Sequence, residues 1–322
     1  MTSDRRSLLL AALAAATAPA FVRAQGASRL RNIVFATNWK AQAAHGGFYQ
    51  ALVDGSYAKA GLAVEIRQGG PQVNNRPLLP AGRIDFLMTG NLLHSFDNAK
   101  QGVPTRAVAA VFQKDPQALI AHPGQGFEQW AACTKAERLW IAKDAQFSWW
   151  QWLKRRHGFR DEQLRPYNFT LGPFLANPRS LQQAYSVAEP IYVKAQAGFD
   201  PVVHLLADQG WRTPSTLIEA RAETVAREPQ LVKAFVEASL AGWRRYLGGT
   251  PAARAAADAR MREDNPEMPL AELQASHALI VRQGLFGDGS GGLQPELVKG
   301  FLDDMVQAGL YKAGEVSLVK VL

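Results

Sequence analysis

Ile33-Val34-Phe35-Ala36, followed after Thr37 by Asn38-Trp39-Lys40-Ala41-Gln42-Ala43-Ala44-His45-Gly46-Gly47-Phe48-Tyr49, is the stretch from which the fold is read. The first four residues form a short apolar run of strand character. Beyond the polar and aromatic loop the spacing becomes helical, with Phe48, Leu52 and Tyr57 near i, i+4 and i+9. A strand that feeds a helix leaves its connecting loop at the carboxyl end of a sheet. In open α/β sheets that edge collects ligands, because free polar groups and helix N-termini converge there. Asn38, Trp39 and His45 are therefore expected to point into a cleft that holds a small molecule.

The pattern continues outward from this unit. Residues 48–61 read as a helix closed by Gly61, and 62–66 alternate as a strand. Gly69-Gly70-Pro71 turns the chain, 74–82 reads as a short helix, and 84–88 is a third strand ending in Thr89-Gly90-Asn91. Residues 92–102 are helical and 106–112 form a fourth strand. Strands alternating with helices imply a parallel sheet with right-handed crossovers.

The pattern breaks at Gln113-Lys114-Asp115-Pro116 and restarts at Ala118-Leu119-Ile120-Ala121, which opens a second lobe. There 139–142 is a strand, 148–157 a helix, 185–188 a strand that stops at Glu189-Pro190, and 202–206 a further strand. From Leu217-Ile218-Glu219-Ala220 onward the chain is read as helical. Val232, Phe235, Val236, Leu240, Trp243 and Leu247 form the apolar stripe of an amphipathic helix. Helices at 251–263, 270–283 and 295–309 need a sheet to cover, and the first lobe is the nearest. The expected architecture is an α/β protein of two lobes, each a mostly parallel sheet flanked by helices. The first lobe is discontinuous, at 29–116 and 214–322, and the second occupies 117–213.

A chain of 322 residues suits two lobes of roughly 100 to 150 residues each. Apolar residues at 47% and charged residues at 20% give an ordinary globular balance. The formal net charge is +8, and the first 24 residues hold three arginines against one aspartate, so the remainder carries about +6. Its densest basic run, Lys154-Arg155-Arg156-His157, ends a helical pattern, where cations complement the helix dipole. No basic stripe or recognition motif accompanies the charge, which argues against nucleic acid as a partner. Cys133 is the sole cysteine, so one chain makes no disulfide, thiolate cluster or iron–sulfur site, and Cys133 reads as a small buried hydrophobe.

Arg5-Arg6, the apolar run 8–16 and Val22-Arg23-Ala24 read as a signal peptide over 1–24, with a mature chain from near Gln25 that works in the periplasm. The run is too short to span a bilayer. Asp4-Arg5-Arg6-Ser7-Leu8-Leu9 also resembles a twin-arginine export signal, the alternative being the basic region of an ordinary secretory signal. No lipobox cysteine stands at the cleavage site, so a freely diffusing monomer is expected.

Chemistry-bearing motifs are few. Gly287, Gly289 and Gly292 satisfy G-x-G-x-x-G but follow a helix instead of a strand, and read as a loop. No P-loop lysine, nucleophile elbow or histidine pair with zinc-ligand spacing occurs, so no catalytic residue, metal or cofactor is expected. Phe147, Trp149, Trp150 and Trp152 read as helix core, with the alternative that Trp149 at the helix start reaches the cleft. Glu189 is read either as a structural ion-pair member or as the partner of an amine or nitrogen heterocycle.

Taken together, Asn38-Trp39 with His45, Gly55-Ser56-Tyr57, Gly61-Leu62-Ala63-Val64, Gly69-Gly70-Pro71 and Ala81-Gly82-Arg83-Ile84-Asp85-Phe86 resemble the thiamine-pyrimidine periplasmic binding proteins of ABC importers. Ala188-Glu189-Pro190, Leu205-Leu206-Ala207-Asp208-Gln209-Gly210 and Ala238-Ser239-Leu240-Ala241-Gly242-Trp243 are similar to that family too. The resemblance implies a hinged binding protein, not an enzyme, that captures a formylaminopyrimidine- or hydroxymethylpyrimidine-like ring and presents it to a membrane permease. Relatives take riboflavin, sulfonates or nitrate. Some eukaryotic members are instead enzymes that make the thiamine pyrimidine from a histidine of their own chain, whose place His45 matches. Those enzymes carry a cysteine cluster that this chain lacks. The expected ligand stacks on Trp39 and is held at its edge by Glu189, with Asn38, His45 and Gln113 as neutral hydrogen-bond partners. Thr89, Asn91, Trp149 and Tyr192 complete the expected binding set.

Overall fold

The computed structural model describes residues 30–71, 73–143 and 145–322; the expected export signal lies outside them. Strand β1 (Arg31–Ala36) buries Ile33 and Phe35 on one face and Ala36 on the other, so it is covered by side chains from both sides. It leads into α1 (Gly46–Val53) and α2 (Ser56–Lys59). The expected single helix over 48–61 is thus broken in two, at Gly55, whose φ is 75°. Strand β2 (Leu62–Arg67) then pairs in parallel with β1, Ile33 opposite Val64. Only one short helical turn, Arg76–Leu78, forms where a helix over 74–82 was expected. Strand β3 (Phe86–Asn91), helix α3 (Leu92–Gln101) and strand β4 (Thr105–Phe112) follow.

The chain then crosses to a second sheet, built by β5 (Gln117–Ala121), β6 (Arg138–Ile141), α4 (Trp149–His157), β7 (Leu164–Pro166), α5 (Gly172–Leu175), β8 (Ser180–Tyr185), α6 (Glu189–Ala197) and β9 (Val202–Leu205). It returns as β10 (Ser215–Arg221) and closes with α7 (Ala222–Arg227), α8 (Pro229–Gly248), α9 (Pro251–Asp264), α10 (Leu270–Arg282) and α11 (Pro295–Gln307). The strand orders are β2-β1-β3-β10-β4 and β7-β6-β8-β5-β9. In each sheet four strands run one way and one is reversed: β10 is antiparallel to β3 and β4, and β5 is antiparallel to β8 and β9. The reversed strand is the first one laid down after each crossing.

Two expectations are corrected here. Residues 217–220 are not helical but lie in β10, a central strand buried on both faces, where no polar–apolar alternation marks a strand. Residues 185–188 do not form a strand ending at Glu189; the strand lies upstream, and Glu189 opens α6 with Pro190 in its first turn. Proline suits that position, since its missing N–H would have no partner there.

The glycines of the opening stretch have a packing reason. A Cβ at Gly47 would lie 2.0 Å from Trp243 Cγ, and one at Gly242 would lie 2.2 Å from the Gly47 carbonyl oxygen, so α1 and α8 touch backbone to backbone. Phe235 of α8 stacks on Phe86 at 4.0 Å between centroids and lies 5.3 Å from Phe35, which fastens α8 to the first sheet. On the other side of that sheet a second apolar cluster runs without interruption into the second lobe. Phe96 meets Phe301 at 5.9 Å, Phe301 meets Trp211 at 5.0 Å, and Trp211 meets Trp152 of α4 at 5.1 Å. The lobes therefore share a core on the α3, α4 and α11 side.

Candidate functional site

The two crossings form a hinge held by one buried carboxylate. Asp115, 3% exposed, accepts from Asn91 Nδ2 at 3.2 Å, from Trp211 Nε1 at 2.9 Å and from the Gln117 amide at 3.2 Å. These donors come from the end of β3, the return segment and the start of β5, so Asp115 ties both crossings to the first sheet. Burial pushes its carboxyl up to about 6, and the three donors hold it from going higher. Asn91 also caps α3 by accepting from the Leu93 amide.

Between the lobes, away from the shared core, lies a narrow cleft of about 10 Å³, room for about one water. Its first-lobe wall is Gln42 and Ala43 with Met268, Glu272 and Ser276 of the α10 region; its second-lobe wall is Val187, Ala188, Ile191 and Tyr192. Ser186 Oγ donates to Gln283 Oε1 at 2.6 Å and closes one end. Trp39 and Phe169 meet across the lobes at 4.9 Å between ring centroids. Phe169 is 42% exposed and has φ 60°, a conformation that an aromatic residue adopts only under constraint. It packs on Tyr167 at 5.1 Å, and the Tyr167 hydroxyl donates to Glu189 Oε1 at 3.2 Å.

Glu189 Oε2 accepts the Tyr185 amide at 2.7 Å. The carboxylate thus sits at the N-terminal end of α6, where the helix dipole favours it. Burial nevertheless pushes it up, as it does Glu272 on the first-lobe wall of the cleft. Burial also raises the Tyr192 phenol, and the charges of Glu189 and Glu272 add to that effect, so both carboxylates act on one cleft side chain. Among the described residues no lysine or arginine lines the cleft.

The remaining expected residues divide by placement. Asn38 is exposed beside Trp39. The loop is pinned by Asn75, which donates to the Thr37 carbonyl at 3.0 Å, and by Gly69, where a Cβ would come within 2.5 Å of the Asn38 carbonyl carbon. His45 is 0% exposed, both ring nitrogens lack a hydrogen-bond partner, and burial lowers it to about 3, so the ring is neutral. It ends the short helical turn that carries Ala43 of the cleft wall. Gln113 lies just past β4 and donates to the Ala110 carbonyl at 2.9 Å. Thr89 turns away from the cleft toward buried Glu219, at 3.4 Å. Trp149 is 3% exposed and, with Trp150 and Trp152, belongs to the apolar cluster shared by the lobes, as the helix-core reading has it, whereas Phe147 of the same reading is 75% exposed and stands in the turn before α4. Cys133 is buried, and burial pushes its thiol up to about 12.

Tyr167, Phe169, Met268 and Glu272 were not found from the sequence. Glu189 does not end a strand, and Trp39 and Gln113 stand beyond their strand ends, yet Trp39 and Glu189 are linked across the lobes through Phe169 and Tyr167.

Residues 42–131 match the family model described as NMT1/THI5 like. No curated protein sequence matches the chain. Among solved structures, the periplasmic aliphatic sulphonate binding protein of Escherichia coli superposes with a TM-score of 0.63 at 13% identity, covering 91% of this chain and 92% of that one. The periplasmic nitrate-binding protein of Synechocystis PCC 6803 gives 0.61 at 14% identity, with 89% and 84% covered. A desulfurization enzyme gives 0.56 at 13% identity, with 88% and 93% covered. With two five-stranded mixed sheets of one strand order flanked by helices, the chain has the α/β fold of the two-lobed periplasmic binding proteins.

Proposed function

We propose that this chain is the extracytoplasmic solute-binding component of an ABC importer, and that it captures a small planar nitrogen heterocycle of the thiamine-pyrimidine-precursor kind for a membrane permease. The observation that carries the ligand class is the charge at the cleft: Glu272 lines it, Glu189 stands at the start of the helix that bears Tyr192, both carboxylates act on Tyr192, and no lysine or arginine among the described residues lines it. An amine or ring N–H gains charge-assisted hydrogen bonds there. A sulfonate or nitrate meets the negative charge of Glu272, with Glu189 near by, although the folds of proteins for both anions superpose on this one. The aromatic rings of Trp39 and Phe169 offer flat faces at the mouth, and His45, Asn38 and Gln113 are the neutral partners. Binding requires the narrow cleft to open and reclose on the ring, with the shared core as pivot. The protein works as a monomer in the periplasm, exported by the signal at 1–24, and leaves its ligand chemically unchanged.

A thermal-shift panel of aminopyrimidines, riboflavin, taurine and nitrate tests the reading. An aminopyrimidine at about one hundred times its dissociation constant should add roughly 2.7 kcal/mol of stability. Glu189→Gln should weaken that binding by about 1.5 to 3 kcal/mol, the range for a charged hydrogen bond. Saturable stabilisation by taurine or nitrate alone would sink the heterocycle assignment, and recovery of a chemically altered compound would make the protein an enzyme.

A further inference from the structure

A cavity larger than the cleft, about 160 Å³, lies beside the hinge, between the ends of α4 and α11. We infer that it is a second binding site, for a small tetrahedral dianion of the phosphate or sulfate type. Three guanidinium side chains line it: Arg155 and Arg156 from the last turn of α4, and Arg212 from the segment that returns to the first sheet. None of the three takes part in an ion pair among the described residues, Asp304 on the cavity wall included. The dipole of α4 accounts for cations in its last turn. It does not account for Arg212, which lies on another segment and faces the same space.

Size and charge narrow the occupant. The cavity is well below the about 300 to 1,000 Å³ of sites for drug-sized ligands. Three cations against the one carboxylate on its wall, Asp304, leave two positive charges for a bound group to neutralise. Guanidinium forks match the paired oxygens of a tetrahedral oxyanion, and Gln307 on the α11 wall adds an amide donor. Trp152 closes the inner side, against Gly210, whose φ is 101°.

The site also spans the lobes. Arg155, from the second lobe, lies against the end of α11, since a Cβ at Gly309 would come within 2.9 Å of its Cζ. An anion held by Arg155 and Arg212 together therefore ties α4 to the return segment of the hinge. This inference stands on residues separate from the cleft and does not depend on the ligand proposed there.

Calorimetric titration of inorganic phosphate into the full chain, near neutral pH and at constant ionic strength, tests it. Phosphate and sulfate should bind saturably and raise the melting temperature, with chloride at matched ionic strength doing neither. Arg212→Gln should lower the phosphate association constant about tenfold or more, and Arg227→Gln, at an exposed guanidinium outside the cavity lining, should leave it unchanged. Should Arg212→Gln not fold, the exposed Arg156→Gln reads the same constant. Glycerol phosphate binding more tightly than inorganic phosphate assigns the site to an ester, and equal binding assigns it to the free anion. A phosphate effect no larger than that of chloride, or arginine variants that bind phosphate like the parent, would overturn the inference.

Discussion

The two lobes repeat one strand order and fill it differently. In the first, the strand at the position of β1 leads through a loop pinned by Asn75 and Gly69 to Trp39, and the strand at the position of β3 ends in Asn91, a neutral cap. In the second, the equivalent of β1 is β6, which leads to α4 and its three tryptophans, and the equivalent of β3 is β8, which leads to Glu189. Equivalent edges thus carry an aromatic rim on one side and a carboxylate on the other. The four helices α8 to α11 have no counterpart in the second lobe, and their region supplies Glu272, Met268 and Gln283 to the cleft. Topology places the edges opposite each other; the side chains at those edges, together with the added helices, set what can bind.

The largest expected effect tests whether the lobes are separate bodies. Phe235→Ala in the first lobe and Trp150→Ala in the second each empty a fully buried aromatic position and should cost about 3 to 5 kcal/mol. Because the apolar cluster runs from Phe96 through Phe301 and Trp211 to Trp152, either change should lower a single common transition. Denaturant melts followed by circular dichroism and by tryptophan fluorescence should coincide. Two resolved transitions, with each variant moving only one, would show that the shared core does not couple the lobes.

The hinge and the first lobe respond to acid with opposite signs. His45 is lowered by burial from 6.5 to about 3, so the folded state binds fewer protons than the unfolded chain between those values. Its contribution is complete above pH 6.5 and is lost as pH falls toward 3. Asp115 is raised by burial from 3.8 to about 6; its contribution is complete below pH 3.8 and is lost as pH rises through 6. At about 1.4 kcal/mol per pKa unit, each is an effect of a few kcal/mol. The stability difference between parent and His45→Gln should therefore shrink with acid, and that between parent and Asp115→Asn should shrink with base. Melting temperatures of the three proteins across this range check it, and parallel curves would mean that neither group titrates differently on folding.

The first lobe is the more legible one for a physical reason. Its strands are short apolar runs bounded by glycine turns, as at Gly61 and Gly82, and β1 and β3 feed helices of recognisable period. In the second lobe, β8 carries Gln182 and Gln183 in its middle, so an apolar search slides past it to Val187 and Ala188. β10 was misread because Leu217-Ile218-Glu219-Ala220 is buried on both faces and hides Glu219 among Ser95, Thr89 and Asn98; a fully buried strand and a buried helix look alike at that length. At the site, Trp39 and Glu189 were visible because each stands beside a strand-to-helix junction. Phe169 was not, because nothing local marks a non-glycine residue with positive φ. Glu272 was not, because it reaches the cleft from a helix whose remoteness in sequence no periodicity bridges.

The smallest effect concerns the aromatic contact between Trp39 and Phe169 across the lobes. Trp39 belongs to the lobe with the neutral edge and Phe169 to the lobe with the charged edge, and their rings touch at 4.9 Å. Such a pair contributes about 0.5 to 1.5 kcal/mol beyond its buried area, and the left-handed backbone of Phe169 costs energy in the opposite direction. The contact should therefore hold the lobes together weakly enough for a ligand to replace it. In a double-mutant cycle of Trp39→Ala and Phe169→Ala, the single losses should exceed additivity by about 0.5 to 1.5 kcal/mol. Phe169→Gly should be the more stable of the two Phe169 variants, since glycine accepts the same φ without strain. Small-angle scattering on the ligand-free variants should show a larger radius of gyration than the parent. Strictly additive losses with unchanged scattering would leave the Ser186–Gln283 bond and the α6–α10 contact as what holds the cleft closed, and Trp39 would then act on the ligand alone.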